Sequence, residues 1–464
     1  MKRHCLKALI CAGVVLMESA ISASATDWLT YGFNLQRTGE NPFETVLTPA
    51  TVAGLHQLWS FNLGAVTIMQ PVLAEGVIVN GSPEDLVYIG AEHGDLYALD
   101  ASTGALVWQR NLGSQQTSCH DIPDAIFGIS GSPAIDRTNN RMFVVGGDGN
   151  MYALDLSTGN TLAGWPVAVT TDPAHEHTYG GITLANGFAY AELASYCDFT
   201  PYHGGVVEID VARRRSRTFN PAGRQVSGGG IWGPGGVSVD PATGDVFAAT
   251  GNALTNPEYY RYCEDVVELS SSLRVLGANY PGLTGSDVDF GATPILYQPP
   301  GCAPLLAAKN KTGVLVVYER GNVSAGPIQR LQVANVSDYQ FNGIPAWSDQ
   351  THLLYIGNSS DSNSESTKHG MVAFSVDANC QLQLAWQRRI GPNFSSVSPP
   401  TVAGGVVYYG DGSGKQLLAF NATDGTLLWS SGSTIGGAIY GAPMVVNGRV
   451  YVGAWDGKLY SFGL

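Results

Sequence analysis

Apolar and polar residues alternate in short runs along almost the whole chain, and turn residues interrupt the runs at regular intervals. The run Asp95-Leu96-Tyr97-Ala98-Leu99-Asp100 is followed by the turn Ser102-Thr103-Gly104 and then by Leu106-Val107-Trp108. The same order returns at Asn150-Met151-Tyr152-Ala153-Leu154-Asp155, Ser157-Thr158-Gly159 and Trp165, and again from Gln416 through Asp424-Gly425 to Trp429. Alternation with period two predicts half-buried strands, and a tight Thr-Gly or Asp-Gly turn joins each pair. A unit recurring every ~50 residues predicts a repeat architecture rather than a string of unrelated domains.

Each copy is preceded by a small residue, a Pro and a short apolar run, as in Gly131-Ser132-Pro133-Ala134-Ile135 and Gly441-Ala442-Pro443-Met444-Val445. Pro suits the first residue of a strand, where no ladder donor is needed. A unit therefore reads as four strands, A to D, which is the make-up of a propeller blade. Eight units are counted, with C strands near Tyr97, Tyr152, Val207, Val267, Val317, Ala373, Ala419 and Tyr460. The last unit has no D strand, whereas residues 58–63 near the N-terminus look like a D strand without a blade. Pairing the two would close the ring and remove an open edge. The expected fold is all-β: one eight-bladed β-propeller over residues 26–464, its N-terminal strand closing the last blade.

Composition fits that fold. Glycine occurs 58 times and charged residues make up only 13%, against a usual ~7% glycine and ~25% charged. The first 25 residues read as an export signal: Lys2, Arg3 and Lys7, an apolar stretch from Ala8 to Met17, and the small residues Ala23-Ser24-Ala25. The apolar stretch is too short to span a bilayer, so a periplasmic or secreted location is expected. The net charge of −14 argues against nucleic acid and anionic membranes as partners. No Cys-x-x-Cys pair occurs. Loop bookkeeping puts Cys302 and Cys380 on one face of neighbouring blades, where a disulfide is expected. Cys119, Cys197 and Cys263 fall on the opposite face. One of these three must stay unpaired within the chain, and loop positions favour Cys197–Cys263, leaving Cys119 free.

The repeat Gly-Asp-Leu-Tyr-Ala-Leu-Asp-x-x-Thr-Gly-x-x-x-Trp resembles that of the pyrroloquinoline quinone (PQQ) repeat propellers, the quinoprotein alcohol dehydrogenases and, nearest among them, the polyvinyl-alcohol dehydrogenases. Three segments carry the resemblance beyond the repeat. Gly229-Gly230-Ile231-Trp232, with Thr250-Gly251-Asn252 downstream, is similar to the family segment whose Trp floors the quinone and whose Asn ligates the metal. Asp287-Val288-Asp289-Phe290 is similar to the segment whose first Asp stands near the reacting alcohol and whose second binds metal in some members. Lys309-Asn310-Lys311-Thr312-Gly313 matches the place where a cation touches the quinone oxygens. The resemblance thus implies Asp287 as the base, Trp232 and Lys311 on PQQ, and Glu192, Asn252 and Asp289 on Ca2+. An aromatic face suits a flat quinone, oxygen ligands suit calcium, and a carboxylate suits proton abstraction from a hydroxyl. A small or polymeric alcohol is the implied substrate. No Cys-x-x-Cys-His haem motif occurs, so the implied electron acceptor is external.

The same residues have plainer readings. Trp232 also fits as a wedge between blades, Asn252 and Lys311 fit ordinary turns, and the two Asp fit loop caps. His175-Glu176-His177 reads as an exposed loop. Non-catalytic propellers, such as the lipoprotein of the outer-membrane assembly machinery, share the repeat, and the adjacent Cys-Cys of family dehydrogenases is missing. The alternative function is therefore a non-catalytic propeller that binds a protein or polymer through one face.

Overall fold

The computed structural model describes residues 26–337, 343–391 and 398–464. The expected export signal, residues 1–25, lies outside the described residues. The described residues form eight antiparallel blades arranged as a β-propeller. Blade 1 runs Val72–Val79, Ser82–Gly90, Asp95–Asp100 and Leu106–Asn111. The C strands of the eight blades contain the eight residues marked by the repeat. Among the described residues, no helix is long and apolar enough to cross a membrane.

The repeat motif is a docking device between blades. Asp100 Oδ1 accepts from the backbone N–H groups of Ser102 (3.0 Å) and Thr103 (2.7 Å), which shapes the Thr-Gly turn. Gly104 adopts φ +72°, and a Cβ there would lie 2.6 Å from the Trp59 ring of the neighbouring blade. That tryptophan donates from Nε1 to Ala101 O at 3.2 Å. Trp108 makes the equivalent bond to Leu156 O (2.9 Å) and Trp386 to Ala422 O (3.0 Å). In these copies the Trp and Gly of the repeat therefore record one blade seated on the next, with Gly159 against Trp108 and Gly425 against Trp386. The ring closes in the same way. His56–Asn62 pairs with Lys458–Gly463 of the last blade, with Gln57 opposite Phe462 and Phe61 opposite Leu459.

A segment with no repeat character organises the axis. Residues 28–41 run around the innermost strands and bond to every blade in order. Trp28 bridges Leu73, Leu29 O accepts from Ile135 N (2.8 Å), and Thr30 Oγ1 donates to Ile182 O (3.1 Å). The carbonyls of Leu35, Gln36, Thr38 and Gly39 then accept from Val239, Leu296, Trp347 and Val402, at 2.8–2.9 Å. Asn41 Nδ2 completes the circuit on Val445 O at 3.0 Å. Arg37 stands at the centre, fully buried. This hub ties the first strands of all eight blades together around Arg37.

Cys302–Cys380 form a disulfide with a Cα separation of 5.7 Å. The other pairing corrects the sequence expectation. Cys119 bonds Cys197, with Cα atoms 5.5 Å apart, and Cys263 is the free thiol. The long connection between Asn111 and Ala134 does not stay beside its own blades. It crosses the site face and meets the B–C loop of blade 3. Cys263 is instead buried with Ala222 and Ala253, where burial pushes its thiol up to about 12.

Candidate functional site

Five of the six sequence-nominated residues sit on loops of one face, and the sixth, Glu192, lies within the B strand Phe188–Ser195 of blade 3. Trp232 precedes the A strand of blade 4, and Asn252 follows its B strand. Asp287 and Asp289 precede the A strand of blade 5, and Lys311 lies in its B–C turn. Lys311 Nζ reaches Asp287 Oδ1 at 2.7 Å and Asp289 Oδ2 at 2.9 Å. The remaining Asp289 oxygen accepts from Asn252 N at 2.8 Å. Asn310 Nδ2 holds Val288 O at 2.7 Å, which clamps the Asp-Val-Asp segment onto the lysine turn. Trp232 lies against the same knot: a Cβ on Gly251 would fall 2.2 Å from Asp289 Oδ1 and 2.8 Å from Trp232 Nε1. Only glycine fits there. Glu192 is set apart from the carboxylate knot. Its Oε1 accepts from Gly180 N, and its strand joins the Trp232 segment through Ile231 N to Leu193 O at 3.0 Å.

Sequence reasoning missed Asp198 as a member. Its carboxylate lies with those of Asp287 and Asp289 in a group whose oxygens fall within 4.8 Å of one another. Tyr202 Oη donates to it at 2.6 Å. The signal was loop length, since the connection after Ser195 exceeds the plain repeat. Tyr179 and Tyr202 flank Trp232, with ring centroids 5.7 and 6.5 Å away. The Cys119–Cys197 bond borders this face. Asp121 lies beside the two sulfurs, which as a disulfide offer no thiolate to a metal.

The electrostatics follow from burial. Two carboxylates pair with the Lys311 ammonium and a third, Asp198, lies within 4.8 Å of them, so acidic groups outnumber basic ones in the knot among the described residues. Burial pushes Asp289 up, Lys311 opposes this, and Asp198 and Asp287 add to it. Burial alone would lower Lys311, but Asp289 and Asp287 hold it above its ordinary value. Burial also raises Asp198. Glu192 is pushed up to about 8 by burial. Its Oε2 and the Asn252 Oδ1 are buried with no hydrogen-bond partner. His177, expected in an exposed loop, is instead buried, and its Nε2 lies 2.7 Å from Ser130 Oγ. Ser130 also meets both Glu92 oxygens at 2.9 Å. Burial holds His177 down at about 3 and lifts Glu92 to about 7.

These shifts predict how stability varies with pH. Burial sets Glu264 and Asp265 at about 7 as well. In the unfolded chain, carboxyls ionise near pH 4. Between there and about pH 8 the folded protein holds protons that the unfolded chain has released, so stability falls as pH rises. His177 acts the other way, but only below its unfolded value of about 6.5. Chelator-treated protein is therefore expected to unfold at lower urea concentration at pH 8 than at pH 5.5, the loss amounting to several kcal/mol at ~1.4 kcal/mol per unit. A midpoint that rises across this window contradicts the burial of these groups.

A ring of eight four-stranded blades, seated on one another through the Trp and Gly of the repeat, is a repeat propeller. The chain belongs to the PQQ-repeat family, whose profile, described as "Outer membrane protein assembly factor BamB", matches residues 50–218 and 375–463. It is similar to the polyvinylalcohol dehydrogenase of Sphingopyxis sp. (strain 113P3), with 23% identity over 443 residues, covering 79% of this chain and 64% of that one. It is similar to the quinohemoprotein alcohol dehydrogenase of Comamonas testosteroni at 22% identity, over 94% of this chain and 74% of the relative. The chain thus spans under two thirds of the first relative's length. Among solved structures, a europium-containing methanol dehydrogenase superposes with a TM-score of 0.71 at 18% identity, covering 94% of this chain and 98% of that one. The quinohemoprotein alcohol dehydrogenase crystal structure from Comamonas testosteroni gives 0.70 at 16% identity, over 96% and 81%. At these identities the structural likeness speaks for the fold.

Proposed function

We propose that this propeller is an exported, periplasmic or secreted oxidoreductase that oxidises an alcohol with PQQ and a calcium ion. The observation that carries the reading is a cluster of three carboxylates, two of them paired with the buried Lys311, with the Asn252 side-chain oxygen on the same loop face buried and without a hydrogen-bond partner. The names of the similar dehydrogenases support it. A hard cation takes oxygen ligands, and Asn252 Oδ1, Asp289 and, from the neighbouring strand, Glu192 Oε2 would be this chain's share of them. A cation there would also offset the cost of burying Glu192 as a carboxylate.

Trp232 supplies the flat ring and Lys311 the ammonium for the quinone oxygens. When bound, the quinone supplies the acceptor for the hydride leaving the carbinol carbon. The chain's own part is positional and protolytic. Asp287 is half-exposed, sits in a left-handed backbone at φ +59°, and is oriented by Lys311. It takes the hydroxyl proton as the carbon is oxidised. Re-oxidation of the site would call for an external electron acceptor. The gathering of Asp198, Asp287 and Asp289 within 4.8 Å of one another favours this over a purely partner-binding ring, because clustered carboxylates need a cation to offset them.

The test is direct. Purified protein given PQQ and calcium is expected to acquire the quinone absorption at one equivalent, with binding lost when calcium is chelated. Trp232→Ala should weaken that binding at least about ten-fold, as loss of an aromatic stacking partner predicts. Wild-type protein that takes up no quinone in the presence of calcium sinks the proposal and leaves only the propeller.

A further inference from the structure

The B–C connection of blade 4 is far longer than the generic turn of the repeat, and it is built around the site. Between the strands Val246–Ala249 and Val266–Leu269 the chain leaves Asn252, closes on itself through Ala253 N to Glu258 O at 2.9 Å, and returns at Glu264. Glu258 Oε2 then accepts the backbone N–H of Asp287 at 2.7 Å. The next two residues, Tyr259 and Tyr260, are 42% and 41% exposed. Tyr259 is not a loose side chain. It stacks on Tyr280 with centroids 4.0 Å apart and planes at 17°, and Tyr280 Oη is anchored on Leu283 O. One face of the Tyr259 ring is thus backed and the rest is open to solvent. Across the carboxylate knot the pattern repeats: Phe199, 40% exposed, follows Asp198 directly. Exposed large aromatics therefore stand one residue away from two groups that touch or adjoin Asp287.

We infer that loop 254–262 is a substrate platform: Tyr259, backed by Tyr280, carries the apolar C–H surface of an extended, uncharged alcohol whose hydroxyl reaches Asp287. This rests on the alcohol-oxidation reading of the same site. A rigid, pre-stacked ring binds a chain at low entropic cost. The rim selects charge as well. Asp198 adjoins Asp287 and Glu258 bonds the Asp287 backbone, while Lys311 is the cation paired with Asp287 among the described residues and the loop's own cation, Arg261, lies towards Gly223. An anionic hydroxy acid is repelled there, and a neutral chain is not. Glu258 is a positioning residue, because it acts on the backbone of Asp287 rather than on substrate.

The experiment compares ethanol, 1-octanol and 8-hydroxyoctanoate as substrates of the quinone-loaded protein. The wild type is expected to favour 1-octanol over ethanol in kcat/KM. Tyr259→Ala should lower that octanol-to-ethanol ratio about ten-fold, and Tyr259→Phe should preserve it, since the ring face is kept. The anion 8-hydroxyoctanoate should be a poorer substrate than 1-octanol at low salt, by a factor that shrinks as salt is added. A ratio unchanged in Tyr259→Ala, or equal use of the anion, overturns the platform. Calorimetric titration with 1-octanol without an electron acceptor separates the two readings. Wild-type binding lost in Tyr259→Ala upholds the platform even if no alcohol is oxidised, and equal binding by both proteins overturns it.

Discussion

Asp287→Ala is expected to lower alcohol turnover about 10²- to 10⁴-fold, the usual loss when a positioned base is removed, while leaving quinone and calcium bound. The two halves of that outcome come from different contacts. Asp287 stands half-exposed at the mouth of the knot, and its side chain touches Lys311 Nζ at 2.7 Å. The buried contacts, Asp289 with Asn252 N and with Lys311, persist without it. The variant loses the proton acceptor and keeps the cation set and the tryptophan. Turnover with a dye acceptor and equilibrium quinone binding, measured on the same preparation, check both halves. A variant retaining more than a tenth of wild-type turnover removes Asp287 from the role of base. Loss of quinone binding together with activity assigns it a structural role instead.

How much of this was legible in the sequence depends on whether a residue belongs to the repeat. The blade count, the C strands and closure by an N-terminal strand, expected at residues 58–63 and found at His56–Asn62, follow from alternation and turn chemistry, because every blade meets the same packing demand. The Thr-Gly and Trp positions are two sides of one contact, so their spacing encodes the neighbour. The segments around Trp232, Asp287 and Lys311 were legible because they break the repeat at D–A and B–C positions, which all open on one face. Loop paths were not. Cys119 reaches Cys197 because the connection after Asn111 crosses the face, and no local pattern fixes where a long loop travels. For the same reason Asp198 and Glu258 were not picked out as members of the site. His177 was misread as exposed because its pocket is made by Ser130 and Glu92 from other blades. Residues 28–41 escaped entirely. They bond mostly as single residues to successive strands, with only Glu40–Asn41 forming a short strand, and so show no period for alternation to reveal.

That hub carries the largest stability effect expected of a single substitution. Arg37 is fully buried and spends its whole guanidinium fork on neutral acceptors. Nε donates to Val237 O at 3.2 Å, Nη1 to Thr30 Oγ1 and Tyr31 O at 2.7 Å each, and Nη2 to Ile182 O at 3.3 Å and to Thr183 Oγ1. No carboxylate is among these partners, and burial draws its pKa down to about 9. A buried cation without a counter-ion is tolerated only while all its donors are satisfied. Here those bonds tie the hub to the inner strands of blades 3 and 4. Arg37→Ala removes five donors at once, takes from Tyr31 O the bond Arg37 makes to it, and leaves Ile182 O and Val237 O with only their threonine donors, which should cost about 3–5 kcal/mol. Arg37→Lys should recover only part, since one ammonium cannot span the fork. Urea unfolding of the three proteins at one pH measures it. A loss under about 1 kcal/mol for alanine means that the hub relaxes around the gap, and that the axis is held by blade-to-blade contacts alone. A loss of the expected size, with hydrogen exchange accelerated first at Val239, Leu296 and Trp347, places residues 28–41 as the pin about which the ring is assembled. The amides of those three residues are bonded to the hub carbonyls nearest Arg37 in the chain, so local opening of the pin must expose them before any blade unfolds.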